Sequence, residues 1–360
     1  MHRRVALLST VALTLAGSLV SGSVAHASAG TGLDPRPFGW SAADSWPERR
    51  DALQYWTPQR MLAARPLAAP EPRRSRSDGP TQGTPWATRG ASTRTGGQGT
   101  PWSVGGTARV STAASTTGAT TASTVQQALV PNSPGLPWTD DGAVVRTTGR
   151  VFFTTAEGGN ASCSGSAVTS ANESVVITAG HCVKLNGASH RNWVFVPGFD
   201  DGRRPFGTWV ATRLLTTQQW NANEDINFDI AAAVVAPLNG RSLTDVVGGQ
   251  GVAFNQPRGR QMFSFGYPAA APFDGSDLTY CSGRTFNDNV MTRDLGLRCN
   301  MTGGSSGGPW FAGFDESTGL GWVNSVNSFK YDFAANFMFG PFFGNEAMAV
   351  YQAAQRSNAL

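Results

Sequence analysis

Residues 301–310 read MTGGSSGGPW, four glycines set around two adjacent serines and closed by a proline and a tryptophan. Glycine tolerates backbone conformations and close approaches that other residues resist, so the stretch reads as a tight turn with little bulk over it. A serine on such a turn can present its hydroxyl, and the neighbouring peptide N–H groups, to a single point. Chemistry follows only if the rest of the chain brings a base there.

GSSGG, Gly304–Gly308, satisfies a G-x-S-x-G pattern with Ser306 at its centre. The α/β-hydrolases that carry this pattern place their histidine after the serine, and here no histidine follows His190. Chain order therefore excludes that class, and any histidine base precedes Ser306. His2 and His26 fall in an N-terminal leader, which leaves His181 and His190. His181 lies in VVITAGHCV (Val175–Val183), where an apolar strand runs into a small-residue turn and a cysteine follows at once. A bridge from Cys182 to Cys163 of SCSGSAV would pin that turn to a neighbouring strand and contribute roughly 3 kcal/mol. His190, in NGASHRN, sits among polar turn residues and reads as a solvated loop histidine.

The chain has 360 residues, with 14% charged and abundant glycine and aromatics, which suits an extracellular β-rich protein. Its formal charge of +4 is unevenly spread, with +2 in residues 1–27, +4 in 28–140 and −2 in 141–360. The part expected to fold thus carries no basic excess, and nucleic-acid binding loses its electrostatic basis. Arg3 and Arg4 precede a short apolar run, and AHA at Ala25–Ala27 offers a cleavage site, so residues 1–27 read as a secretory signal peptide. No later segment is long and apolar enough to span a membrane. Secretion permits disulfides, and Cys163, Cys182, Cys281 and Cys299 form an even set that allows three pairings.

Residues 28–140 read as a pro-segment followed by a Gly/Ser/Thr/Pro-rich low-complexity linker. Asp44–Ala64 has helical spacing interrupted by Pro58, which predicts one or two short helices. The tract beyond it repeats QGTPW at Gln82–Trp86 and Gln98–Trp102 and reads as a flexible connector, with a binding tail that uses exposed tryptophans as the alternative. After residue 140 short β-branched and aromatic runs alternate with Gly, Pro, Asn and Asp, as in GRVFFTT, ESVVITAG, NWVFVPGF, DIAAAVV and QMFSFGYP. One helix stands out, NEAMAVYQAAQ, with Asn345 as its N-cap and Glu346 in its first turn. The pattern is all-β with a C-terminal helix.

SCSGSAV, TAGHC and TGGSSGGPW, in this order, resemble the chymotrypsin-like (trypsin-fold) serine peptidases, especially the secreted bacterial branch similar to glutamyl endopeptidases. The resemblance covers roughly residues 141–355, and residues 141–360 read as one peptidase domain. It implies two perpendicular six-stranded antiparallel β-barrels with the active site between them, preceded by a largely disordered N-terminal region. YWTPQRMLAARPL (Tyr55–Leu67) resembles pro-segments of that branch. In these terms Ser306 is the nucleophile and His181 the general base. Asp229 is the acid, favoured over Asp225 because it runs straight into the buried strand Ile230–Val235. The N–H groups of Gly304 and Ser306 form the oxyanion hole. The resemblance also pairs Cys163 with Cys182 and Cys281 with Cys299.

The resemblance places Asn300 at the base of the primary pocket and Asn327 on its wall, with Ser328 backing the substrate chain. Asn327 stands where glutamate-specific relatives use a histidine, which argues against a glutamate preference. Lys330 reads as a solvated strand-end lysine. Ser305 replaces the aspartate that in many animal relatives pairs with a newly released N-terminal ammonium, so that ion pair is not expected. RRSRS (Arg73–Ser77) and TTGR (Thr147–Arg150) are candidate processing sites. The functional expectation is a secreted serine endopeptidase made as a precursor, a monomer acting on protein or peptide substrates, with its own pro-segment as inhibitor or folding aid. Neither cofactor nor metal is expected. The alternatives are a catalytically silent binding protein on the same fold and an esterase using the same triad.

Overall fold

A computed structural model of the chain describes residues 36–74, 77–92 and 132–359. The signal-peptide expectation and the second QGTPW copy lie outside the described residues.

The apolar runs after residue 147 close into a barrel. Trp209–Thr216 pairs with Arg191–Pro197, then follow Thr148–Thr154, Asn160–Val168, Val175–Thr178 and Ala231–Val235, which returns to Trp209–Thr216. All six pairings are antiparallel, and closure removes the free edges an open sheet would expose. By register Val151, Phe195, Trp209 and Val176 share one face of it, and all four are fully buried. Each such side chain contributes ~1.5–3 kcal/mol when fully buried.

The second half is built from two sheets. Gly251–Phe254, Leu320–Val326, Pro309–Asp315, Gln261–Gly266 and Thr279–Arg284 lie side by side, while Leu295–Arg298 pairs with Phe286–Asn287 and Phe337–Gly340. A bridge between Phe329 and Phe339 ties the two together. The disulfides are Cys163–Cys182 and Cys281–Cys299.

Segments ahead of residue 141 take part in both halves. Phe38–Ser41 adds to the barrel at Trp209–Thr216, and Trp86–Ala87 and Ser133–Pro137 form the two ends of the second half's larger sheet. The predicted helical stretch forms two helices, Trp46–Tyr55 and Pro58–Leu62. Ser45 caps the first in a capping box with Glu48, and Thr57 caps the second with Pro58 in its first turn, where a missing N–H costs nothing. Trp56 and Met61 are buried, and the Trp56 indole donates to the Asn192 carbonyl at 2.6 Å. Trp86 is neither linker nor exposed adhesive, because it packs on Phe254 and Tyr351.

The C-terminal helix, Asn345–Arg356, lies where the sequence puts it, but its N-cap is Gly344. Asn345 instead accepts a hydrogen bond from Asn255, and Glu346 accepts two from Thr81. The processing site expected at Thr147–Arg150 is corrected too. Thr147 ends a helical turn, Thr148–Arg150 begins a barrel strand, and Arg150 is 3% exposed with its guanidinium on Ser162. A protease needs extended, accessible backbone there, and the barrel provides none.

Candidate functional site

Val175–Thr178 ends in a 3-10 turn, Gly180–Cys182, that carries His181 and is held from behind by the Cys163–Cys182 bridge. Asp229 reaches this turn from just before the Ala231–Val235 strand. One of its carboxylate oxygens accepts the His181 backbone N–H at 2.7 Å, and the other meets His181 Nδ1 at 2.7 Å and accepts the Ser328 hydroxyl. A carboxylate only accepts, so this contact directs a ring proton to Nδ1 and leaves Nε2 on the opposite side of the ring. Nε2 is buried and makes no hydrogen bond among the described residues. Asp225 serves elsewhere, accepting the N–H of Asn227 and the hydroxyl of Ser77.

The Ser306 turn is fastened to the same barrel. Ser164 Oγ accepts the N–H of Tyr267 at 2.9 Å and donates to the Gly304 carbonyl at 2.9 Å, while its N–H donates to the Ser306 carbonyl at 2.7 Å. The Ser164 carbonyl accepts the hydroxyl of Thr178, at the end of the strand leading to His181. Gly307, at φ +76°, has no room for a Cβ, which would lie 2.1 Å from Thr178 Oγ1 and 2.8 Å from the Ala179 nitrogen. The serine turn thus abuts the chain two residues before His181.

The peptides that carry the Gly304 and Ser306 N–H groups are set by their carbonyls. The Gly303 carbonyl accepts from Ala269 N–H at 2.8 Å, and the Ser305 carbonyl accepts from Gly308 N–H at 2.9 Å and Asn327 Nδ2 at 3.0 Å. A trans peptide points its N–H opposite to its carbonyl, so these bonds aim the N–H groups of Gly304 and Ser306 away from Ala269 and from Gly308 and Asn327 respectively.

Next to Ser306 lies a cavity of about 330 Å³ bounded by Met301, Ser328, Lys330, Phe333 and Met338. Neither Asn300 nor Asn327 lines it. Asn300 Oδ1 accepts the N–H of Gly135 at 2.7 Å. Asn327, just past the Leu320–Val326 strand, is fully buried and bonded to Ser264, Trp310, Phe265 and Ser305, which corrects its expected place in the pocket wall. Lys330 is half-buried rather than solvated, with its ammonium on the carbonyls of Cys299 and Ala335, and burial pushes it down to about 8. His190 is also not a solvated loop residue. It stacks on Phe153 with ring centroids 4.2 Å apart, and its Nε2–H donates to the His181 carbonyl at 3.0 Å. The run of small residues in SCSGS was the available signal for Ser164, since such a strand admits close backbone approach.

No protein-family model and no curated protein sequence matches the chain. Among solved structures it is similar to the protease Anisep from Arthrobacter nicotinovorans, at 44% identity and TM-score 0.58, over 62% of this chain and 100% of that one. It is also similar to the thermostable serine protease AL20 from an extremophilic microorganism, at 44% identity and TM-score 0.57, over 60% of this chain and 100% of that one. A Glu endopeptidase shares the fold at 14% identity and TM-score 0.50, over 64% of this chain and all of that one. The fold and these likenesses define a protease of the serine class. The chain belongs to the chymotrypsin-like serine peptidases.

Proposed function

We propose that the chain is the precursor of a secreted serine endopeptidase in which Ser306, His181 and Asp229 form the catalytic triad. The observation that carries this reading is the two-point hold of Asp229 on His181, at the backbone N–H and at Nδ1, with the Ser306 turn fastened to the same barrel. Ser306 Oγ attacks the scissile carbonyl carbon as its proton passes to His181 Nε2, and Asp229 stabilises the imidazolium. The oxyanion forms against the N–H groups of Gly304 and Ser306. On collapse the C–N bond breaks and Nε2 returns the proton to the leaving amine. Water then cleaves the acyl-enzyme by the same steps. The acyl half of the substrate lies along Ser328 with its side chain in the adjoining cavity, and the leaving half continues toward Ser162.

His181 is fully buried and Ser306 only 4% exposed, with residues 69–72 over the cavity, which supports a precursor whose own N-terminal segment covers the cleft. The test is to label the processed enzyme with an organophosphonate and follow its turnover of a mixed peptide library. Stoichiometric labelling at Ser306 and peptide cleavage, both lost in Ser306→Ala, are expected. Peptide cleavage that persists in Ser306→Ala would overturn the assignment.

A further inference from the structure

We propose that the segment Arg65–Arg74 occupies the cleft in the direction opposite to a substrate, and that this reversed polarity lets it block Ser306 without being cut. The proposal rests on the peptidase reading above, which sets acyl and leaving sides. The segment enters at the leaving side. Arg65–Pro66 pairs in parallel with Ala161–Ser162, and the Leu67 N–H donates to the Ser162 carbonyl at 3.0 Å. The Leu67 carbonyl lies 3.1 Å from where a Cβ on Gly303 would be. The chain then crosses to the acyl side, where Ala69–Pro72 share a cavity wall with Ser306, Ser328 and Lys330. Ala69–Glu71 also wall a second cavity, of about 650 Å³, whose far side is Asn223–Ile226. Farther along the chain, the Ser77 hydroxyl donates to Asp225 at 2.7 Å.

A substrate runs from its N-terminal side along Ser328 to its C-terminal side at Ser162, whereas this segment meets Ser162 first and Ser328 second. Reversing a peptide exchanges the directions of its N–H and carbonyl groups. A carbonyl carbon held for attack, with its oxygen on the Gly304 and Ser306 N–H groups and its amide nitrogen toward His181, is then not presented. The anchors upstream impose this direction. Trp56 and Met61 are buried against the first barrel and Tyr55 donates to Asn160 at 2.7 Å, so the chain must enter at the Ser162 edge. Pro66, Pro70 and Pro72 stiffen the crossing and reduce the entropy lost on docking.

Photo-crosslinking in the full chain tests the polarity. A benzophenone amino acid replaces Arg65 in one variant and Glu71 in another, both exposed positions, in a Ser306→Ala background. Crosslinks from 65 to Asn160–Ser162 and from 71 to Ser328–Phe333 are expected. The exchanged pattern would overturn the proposal. In the Ser306-containing full chain, incubated for as long as the processed enzyme takes to consume a peptide library, no cut should appear between Arg65 and Pro72. A cut there that Ser306→Ala abolishes would overturn it as well. If the expected crosslinks are found but the processed chain neither cleaves peptides nor labels at Ser306, the peptidase reading fails and the polarity stands.

Discussion

Asn327 Nδ2 donates to the carbonyl oxygen of Ser305 at 3.0 Å, and this bond fixes the peptide whose other end is the Ser306 N–H. The same amide donates to Phe265 and its oxygen accepts from Ser264 and Trp310, so the side chain cannot rotate without losing several partners. Asn327 is therefore a positioning residue for the oxyanion hole in the mechanism proposed above. Asn327→Asp keeps the shape but replaces the donor with an acceptor facing two carbonyls. We expect kcat to fall by about 10²-fold with KM within a factor of three, on the scale of losing one oxyanion donor. Steady-state kinetics on one peptide substrate checks it. A change confined to KM would return Asn327 to a pocket role.

His190 gives a pH signature of stability. Burial pushes it down to about 4, against the raising effect of its bond to the His181 carbonyl, and its Nδ1 is buried without a partner among the described residues. The unfolded chain takes up this proton near pH 6.5 and the folded chain only near 4. Stability is thus full above pH 6.5 and falls as pH drops toward 4, by about 3 kcal/mol. His190→Gln, which can still donate to the His181 carbonyl, should flatten that slope in urea titrations of the Ser306→Ala precursor between pH 7 and 4.5. An unchanged slope would assign the acid sensitivity to other groups.

The Ser306 turn, the His181 turn and the strand after Asp229 were legible because each is a local pattern: glycines around a serine, an apolar strand meeting a small-residue turn, an aspartate running into an alanine and valine strand. The first barrel followed from the same runs, whereas Phe337–Gly340 and Thr279–Arg284 were missed because short or polar strands carry little periodic signal. Partners distant in sequence were not legible. Asn327, Ser164 and His190 are polar residues whose neighbours decide whether they meet water, substrate or a carbonyl. The strands ahead of residue 141 were hidden for a related reason, since Trp86 and Ser133–Pro137 pair with sheet edges far along the chain.

Ser305 satisfies its turn internally, with its hydroxyl on the Thr302 carbonyl at 2.7 Å and its N–H on the same oxygen. It needs no incoming ammonium, so extending the processed N-terminus by a few residues should leave kcat within about twofold. Trimming past Pro137 should behave differently. It removes the strand paired with Thr279–Arg284 and releases Asn300 from Gly135, beside the acyl-side cavity, so KM should rise several-fold. Kinetics of the two variants, with circular dichroism to verify folding, separates these effects. Loss of activity on extension alone would show that a free terminus is used after all.

Asp294 is fully buried, and neither of its carboxylate oxygens has a hydrogen-bond partner among the described residues. Burial, with Asp229 and Asp288 nearby, holds its carboxyl well above the usual range. The folded chain then retains a proton that the unfolded chain gives up near pH 4, so this group costs stability as pH rises through that range toward its folded value. An amide of the same shape carries no charge to desolvate. Asp294→Asn should therefore raise stability at pH 7 by ~1–3 kcal/mol, the scale of an uncompensated buried polar group, and remove that part of the pH dependence. Urea midpoints at pH 5 and pH 8 on the Ser306→Ala precursor measure both. A larger gain at pH 8 than at pH 5 is the expected sign, whereas a less stable variant would mean that Asp294 is ionised and held by a partner.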